Sequence, residues 1–397
     1  MSSHNMGRDD LATPLQVDLD LVHGLISRQQ PQDLNKVTPD RTRNRGQFSF
    51  FSSVQGSIVE RADLTSLFNA RTASHDYYEL PRSDDGFWWL DVSAPTKAQV
   101  DAICTAFGIH PLTAEDIGAQ EGGEKVEIFP SYYFASFRSF KTVQEDDGVE
   151  YAPFNVYVVV FRTGALSFSF APNNHALHVR SRIAATTNYP GLNSDWICYA
   201  LIDDIVDSFV PPIHQLERDV DTIEDEVFVI RDADTRPFFK SMGQARNTST
   251  ALLRLLGDKA DVLRRLTKRC DEASTAGTTT PRKDIGMNLD DVQDHVLTMT
   301  ANLGHFETIL GRAHSNYLAT LRINKLSQDI KTNRFLGKIT LVAGVCIPLQ
   351  LIGSIWGMNV LVPFQTVDGL GPFFGICGFI ALASMLMLSW AKWKKLV

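Results

Sequence analysis

The sequence predicts an α+β membrane protein, with an N-terminal cytosolic α/β domain, a long helical stalk and two transmembrane helices near the C-terminus. Two runs carry no charged residue, Ile339 to Trp356 and Phe373 to Ala391. Each is about 18 to 19 residues long, near the ~20 apolar residues that span a bilayer. Ahead of them, strand-like and helix-like segments alternate to about residue 190, the pattern of an α/β domain. From Ser194 the strand signals stop, and helical periodicity continues into the first apolar run.

In chain order, residues 1–45 are polar and aperiodic and read as a disordered tail. The α/β domain, 46–190, opens near Gln47-Phe48-Ser49-Phe50-Phe51. Phe87 to Val92 reads as a buried strand, and Thr96 to Phe107 as a helix capped by Ser93 or Thr96. Lys125 to Thr142 reads as a strand. Phe154–Phe161 and Ala165–Ala171 form a hairpin about Arg162-Thr163-Gly164. In the helical domain, 191–335, Asp195 to Arg231 reads as one acidic helix behind an Asn193-Ser194-Asp195 cap. Arg236 to Glu272 is a second helix, and Ala273 to Pro281 a loop. From about Asp284 one helical pattern reaches Trp356, roughly 110 Å at 1.5 Å per residue, a stalk suited to a coiled coil or bundle. The transmembrane helices are 336–356 and 373–391, with an external loop, 357–372, between them and a basic cytosolic tail, 392–397.

Composition narrows the function. With 397 residues and a net charge of −8, the chain holds more than one domain and suits cations better than nucleic acid as a partner. Five cysteines are scattered at 104, 198, 270, 346 and 377, with no spacing for zinc or a disulfide framework. No HxxxH or HExxH pair, phosphate loop or nucleophile elbow occurs, so neither an enzyme nor nucleotide binding is expected. The N-terminus has no apolar signal segment, which leaves targeting to the membrane helices.

Flanking charge orients the hairpin in the lipid bilayer. Lys325, Lys331, Arg334 and Lys338 precede the first run and Lys392, Lys394 and Lys395 follow the second, while the loop between has no basic residue. Both ends of the chain therefore face the cytosol. Along the first helix Asn333, Leu336, Thr340, Ala343, Ile347, Gln350 and Ser354 recur at spacings of three or four and form one stripe. Asn333, Thr340, Gln350 and Ser354 are unfavourable against lipid, so the stripe faces protein or water, either as helix-packing contacts or as a pore lining. A single stripe encloses no channel; a pore requires a ring of subunits.

Ile355-Trp356-Gly357-Met358-Asn359, set between two apolar helices behind a long helical domain, resembles the signature of the CorA superfamily of magnesium channels. Gly108-Ile109-His110-Pro111-Leu112-Thr113-Ala114-Glu115-Asp116-Ile117 resembles the family's α/β-domain motif and Asp291-Val292-Gln293-Asp294-His295 its stalk motif. Asn193-Ser194-Asp195-Trp196, His314-Ser315-Asn316-Tyr317-Leu318-Ala319 and Gly357-Met358-Asn359-Val360 are closer to the fungal aluminium-resistance branch. The resemblance, over residues 45–395, implies a funnel-shaped homopentamer that passes Mg²⁺ inward. It implies a selectivity filter of Gly357, Met358 and Asn359, and regulatory Mg²⁺ between protomers at Asp116 and Asp291, with Glu115 alongside. It implies either the plasma membrane or the vacuolar membrane.

The chemistry of the ion agrees with this. Mg²⁺ holds its waters tightly, so a mouth that selects it presents amide oxygens to the hydrated ion. Leu336, Ala343 and Ile347 would be apolar constrictions that gate by dewetting, with polar rings at Asn333, Gln350 and Ser354. Asp368 is the only acidic residue in the outer loop, fewer than the family pattern carries. The acidic residues Asp203, Asp204, Asp207, Glu217, Asp219, Asp221, Glu224, Asp225 and Glu226 read as a solvated helix face rather than as a surface that concentrates Mg²⁺ near the stalk. The rival readings are transport of Zn²⁺, Co²⁺ or Ni²⁺ and a membrane-tethered scaffold.

Overall fold

The computed structural model describes residues 48–53, 57–61, 86–145, 148–185, 192–227, 235–272, 283–358, 360 and 369–393. The N-terminal tail, Asn359, most of the 357–372 loop, the Ala273–Pro281 loop and Lys394 and Lys395 lie outside them. The chain divides into two compact units, Met1–Arg312 and Ala313–Val397.

The first unit is built on a seven-stranded sheet in the order β2-β1-β3-β7-β6-β5-β4. Its strands are β1 (Phe48–Ser52), β2 (Ser57–Arg61), β3 (Trp88–Ser93), β4 (Lys125–Ile128), β5 (Tyr132–Glu145), β6 (Gly148–Phe161) and β7 (Gly164–Ser169). Only β3 and β7 pair in parallel; the other neighbours are antiparallel. The expected strand over Lys125–Thr142 is two strands. Pro130 supplies no N–H, and the chain turns there with Phe129 N–H bonded to Tyr132 C=O at 2.8 Å.

One sheet face is covered by α1 (Lys97–Ala106) and α2 (Pro111–Ala119). Thr96, not Ser93, caps α1: its Oγ1 accepts from Gln99 N–H, and Gln99 Oε1 accepts from Thr96 N–H at 2.8 Å. Val100, Ile103 and Phe107 meet Trp88, Leu90, Tyr132, Phe134, Tyr157 and Phe161 in the core. The opposite face carries α3 (His175–Ala185) and α4 (Ser194–Asp207). There the buried Tyr133 hydroxyl donates to Asp195 at 3.0 Å.

Where β3 and β7 pair, Gly164 lies opposite Trp88. A Cβ on Gly164 would stand 2.0 Å from the Trp88 ring, whose side chain is fully buried. Gly164→Ala is therefore expected to destabilise this unit by about 3 kcal/mol, through displacement of the indole. Urea unfolding of the variant measures it.

The helical part departs from the sequence reading. The expected helix Asp195–Arg231 is α4 followed by α5 (Val210–Glu226), because Pro211 and Pro212 cannot continue α4 but fit the first turn of a new helix. The expected helix Arg236–Glu272 is α6 (Thr235–Leu256) and α7 (Lys259–Glu272), parted at Gly257-Asp258. The predicted long helix is continuous, as α8 (Lys283–Trp356), and α9 covers Gly371–Trp393.

Candidate ion path and acidic side-chain clusters

Within the second unit, α8 contains a stretch of mean hydropathy 1.9 that is long enough to cross a membrane and is not buried by the chain's own residues. The described apolar part of α9, Gly371–Met387, is shorter. Leu336 and Ile347 are 51% and 64% exposed. Of the other stripe residues, Asn333, Thr340, Gln350 and Ser354 are exposed and Ala343 is half-buried. Among the described residues, this face of α8 is therefore without cover. Ser354 donates its hydroxyl proton to the Gln350 carbonyl at 2.8 Å, so it turns an oxygen lone pair, not a donor, away from the helix. Past the helix end, Gly357 N–H bonds back to Gly353 C=O at 3.1 Å and Met358 is 55% exposed.

In the first unit, the Gly108–Ile117 stretch is explained by local chemistry. Gly108 adopts φ +64, which a side chain disfavours. His110 Nδ1 then accepts from Leu112 N–H at 3.2 Å, and Pro111 opens α2. The Tyr132 hydroxyl accepts from His110 N–H and pairs with buried Thr113, both at 3.0 Å. At the far end of α2, Asp116 is held by Lys125 Nζ at 2.5 Å, and Lys125 also reaches Glu127 at 3.3 Å. Burial alone would lower the Lys125 ammonium, but its bonds to Asp116 and Glu127 outweigh that and hold it above its usual range. Glu115 and Asp291 are exposed. No hydrogen bond or ion pair joins Asp116 to Asp291 among the described residues, and none of these residues forms a three-ligand metal cluster.

The acidic face is less free than its sequence suggests. Asp203 bonds Arg182 at 2.7 Å, and Asp204 receives His175 Nδ1 at 2.6 Å and His178 Nδ1 at 3.0 Å. The other ring nitrogen of His175 pairs with buried Ser139 at 2.8 Å. These carboxylates fasten α4 to α3 and are not open cation sites. Burial chiefly, then Asp203, pushes the Asp207 carboxyl up. His175-x-x-His178 is the sequence signal, since residues three apart share a helix face.

A second cluster was not predicted. Lys259, fully buried at the start of α7, reaches Glu124 Oε1 and the Arg138 carbonyl, and lies 5.4 Å from the Phe209 ring centre. Arg138 N–H also donates to Glu124 Oε1, at 2.9 Å. Burial pushes the Glu124 carboxyl up and the Lys259 ammonium down, and each partner opposes the other's shift.

Comparison with known proteins places this geometry. The family model described as CorA-like Mg²⁺ transporter protein matches residues 84–392. The magnesium transporter ALR1 of Saccharomyces cerevisiae is 41% identical over 378 residues, covering 85% of this chain and 43% of that protein. A putative metal ion transporter of Schizosaccharomyces pombe is 44% identical over 344 residues, covering 86% of this chain and 42% of its own length. The chain thus spans less than half the length of these yeast relatives. The complete structure of the CorA magnesium transporter from Methanocaldococcus jannaschii superposes with a TM-score of 0.58 at 15% identity, covering 87% of this chain and 96% of that one.

Proposed function

Because the chain belongs to the CorA-like Mg²⁺ transporter family, we propose that it is a channel subunit through which Mg²⁺ enters the cytosol passively, in a homopentamer lined by α8. One observation carries the reading: a long apolar helix bears a single stripe of polar and small residues on a face its own chain leaves uncovered. A membrane anchor gains nothing from Asn333, Thr340, Gln350 and Ser354, which are stabilised only by water or protein. Rings of these residues alternate with Leu336, Ala343 and Ile347, and end at Gly357, Met358 and Asn359. No nucleotide or covalent intermediate is needed, since the membrane potential and the gradient drive a divalent cation inward.

Topology and assembly test this reading. Cysteine introduced at Thr366 should react with an impermeant reagent from outside, and at Ser315 only after permeabilisation. Gel filtration with light scattering should give five protomers. The reverse labelling, or a stable monomer in mild detergent, contradicts it.

Regulation by cytosolic Mg²⁺ at Asp116 and Asp291 would have to displace Lys125, which already neutralises Asp116. Lys125→Met should therefore strengthen the protection that millimolar Mg²⁺ gives against protease, roughly three- to tenfold in Mg²⁺ midpoint for a partner worth ~1 kcal/mol. Asp116→Asn should abolish the difference. Equal midpoints in the parent and Lys125→Met remove Asp116 from the regulatory site.

A further inference from the structure

We propose that the Gln350 side-chain amide of one protomer donates a hydrogen bond to the Gly344 carbonyl of the next, an acceptor set free by Pro348. The inference rests on the pore reading above, in which α8 helices ring one axis.

Pro348 lies inside α8. Proline has no N–H, so the carbonyl four residues earlier, that of Gly344, loses its helical donor. Within the apolar part of a bilayer a freed carbonyl requires a partner from protein or from pore water. Gly344 is exposed, and nothing lies within 4 Å of where its Cβ would be, which leaves room for a neighbouring helix to approach closely. Gln350 is exposed too. Its backbone carbonyl is taken by Ser354, but its side-chain amide has no partner among the described residues.

Helical geometry brings the two groups together across an interface. At about 100° per residue, Gly344 lies about 70° to one side of the stripe's mean direction and Gln350 about 50° to the other. In a five-fold ring, the neighbours of each helix lie about 54° to either side of the direction to the axis. The Gly344 flank of one protomer therefore meets the Gln350 flank of the next. Along the helix the two Cα atoms differ by about 9 Å. Helical side chains lean toward the N-terminus while carbonyls point toward the C-terminus, so donor and acceptor approach from opposite ends of that gap. One amide N–H suffices, leaving the second N–H and the oxygen of Gln350 to pore water.

The test is a double-mutant cycle on assembly of the full chain in detergent, with pentamer dissociation followed on native gels against added SDS. Pro348→Ala returns an N–H to Gly344 within the helix and so removes the free acceptor. Gln350→Leu is expected to weaken the pentamer about threefold per bond, on the order of 200-fold over five bonds. In the Pro348→Ala background the same substitution should have no effect. Should Pro348→Ala not assemble, Gln350→Met decides, since it keeps the unbranched length without adding charge but removes the donor; it should weaken the pentamer as Gln350→Leu does. The proposal is overturned if Gln350→Leu weakens both backgrounds equally, if it lowers Mg²⁺ flux with the pentamer unaffected, or if Gln350→Met assembles as the parent does. A parent chain that forms no pentamer fails the pore reading itself, which is a distinct result.

Discussion

Lys259→Met should lower the stability of the first unit by about 3–5 kcal/mol, as expected when one partner of a buried ion pair is removed. Both side chains are withdrawn from water, at 0% and 1% exposure. Without the ammonium, the Glu124 carboxylate stays buried with the Arg138 N–H as its remaining donor, and its second oxygen already lacks one. The Arg138 carbonyl loses a donor as well. Removing both charges, as in Glu124→Leu with Lys259→Met, should recover most of the loss, because a well-packed apolar pair avoids the desolvation of two ions. Guanidinium unfolding of the two single variants and the double one measures the coupling. A double variant as unstable as the sum of the singles would show that Glu124 and Lys259 act independently.

The elements legible in the sequence are those whose pattern is local. Asn193 before Ser194-Asp195 marked the start of α4, and the Asn193 side chain accepts from Trp196 N–H at 2.9 Å. The Arg162-Thr163-Gly164 turn and the flanking β-rich runs marked the β6–β7 hairpin. The uninterrupted periodicity from Asp284 to Trp356 marked α8. Breaks inside amphipathic stretches were harder to see, since the apolar period resumes in phase after Phe209 and after Gly257. Pro211-Pro212 and Gly257-Asp258 were the signals available.

The His175-x-x-His178 spacing put two imidazoles on one helix face, but the carboxylate each charge would meet was not legible. Asp116 looks open to a metal until β4 brings Lys125 beside it. Asp204 looks solvated until α3 brings His175 and His178 over it. Glu124 and Lys259 are 135 residues apart, and only the fold juxtaposes them. A charge in sequence states its sign, while its counter-ion is set by topology.

Asn359→Ala should reduce Mg²⁺ influx at least about tenfold, the effect of ~1.4 kcal/mol on a barrier. In the proposed ring five Asn359 amides accept hydrogen bonds from the waters of an intact hydrated ion, which Mg²⁺ surrenders reluctantly. Alanine removes every acceptor while leaving the apolar runs on either side unchanged, so insertion and assembly should persist. Asn359→Asp differs in kind. It keeps an oxygen but adds a ring of charge, which binds the divalent ion more tightly and slows its exit, since conduction needs binding weak enough to release. Gln350→Leu should lower flux less, as it leaves the mouth intact.

The decisive measurement is Mg²⁺ influx into vesicles loaded with a magnesium-sensitive dye, comparing the parent with Asn359→Ala at equal pentamer content. A channel reading predicts saturable influx in the parent and its near loss in the variant. Undiminished influx through a fully assembled Asn359→Ala pentamer, or none through the parent, would contradict it.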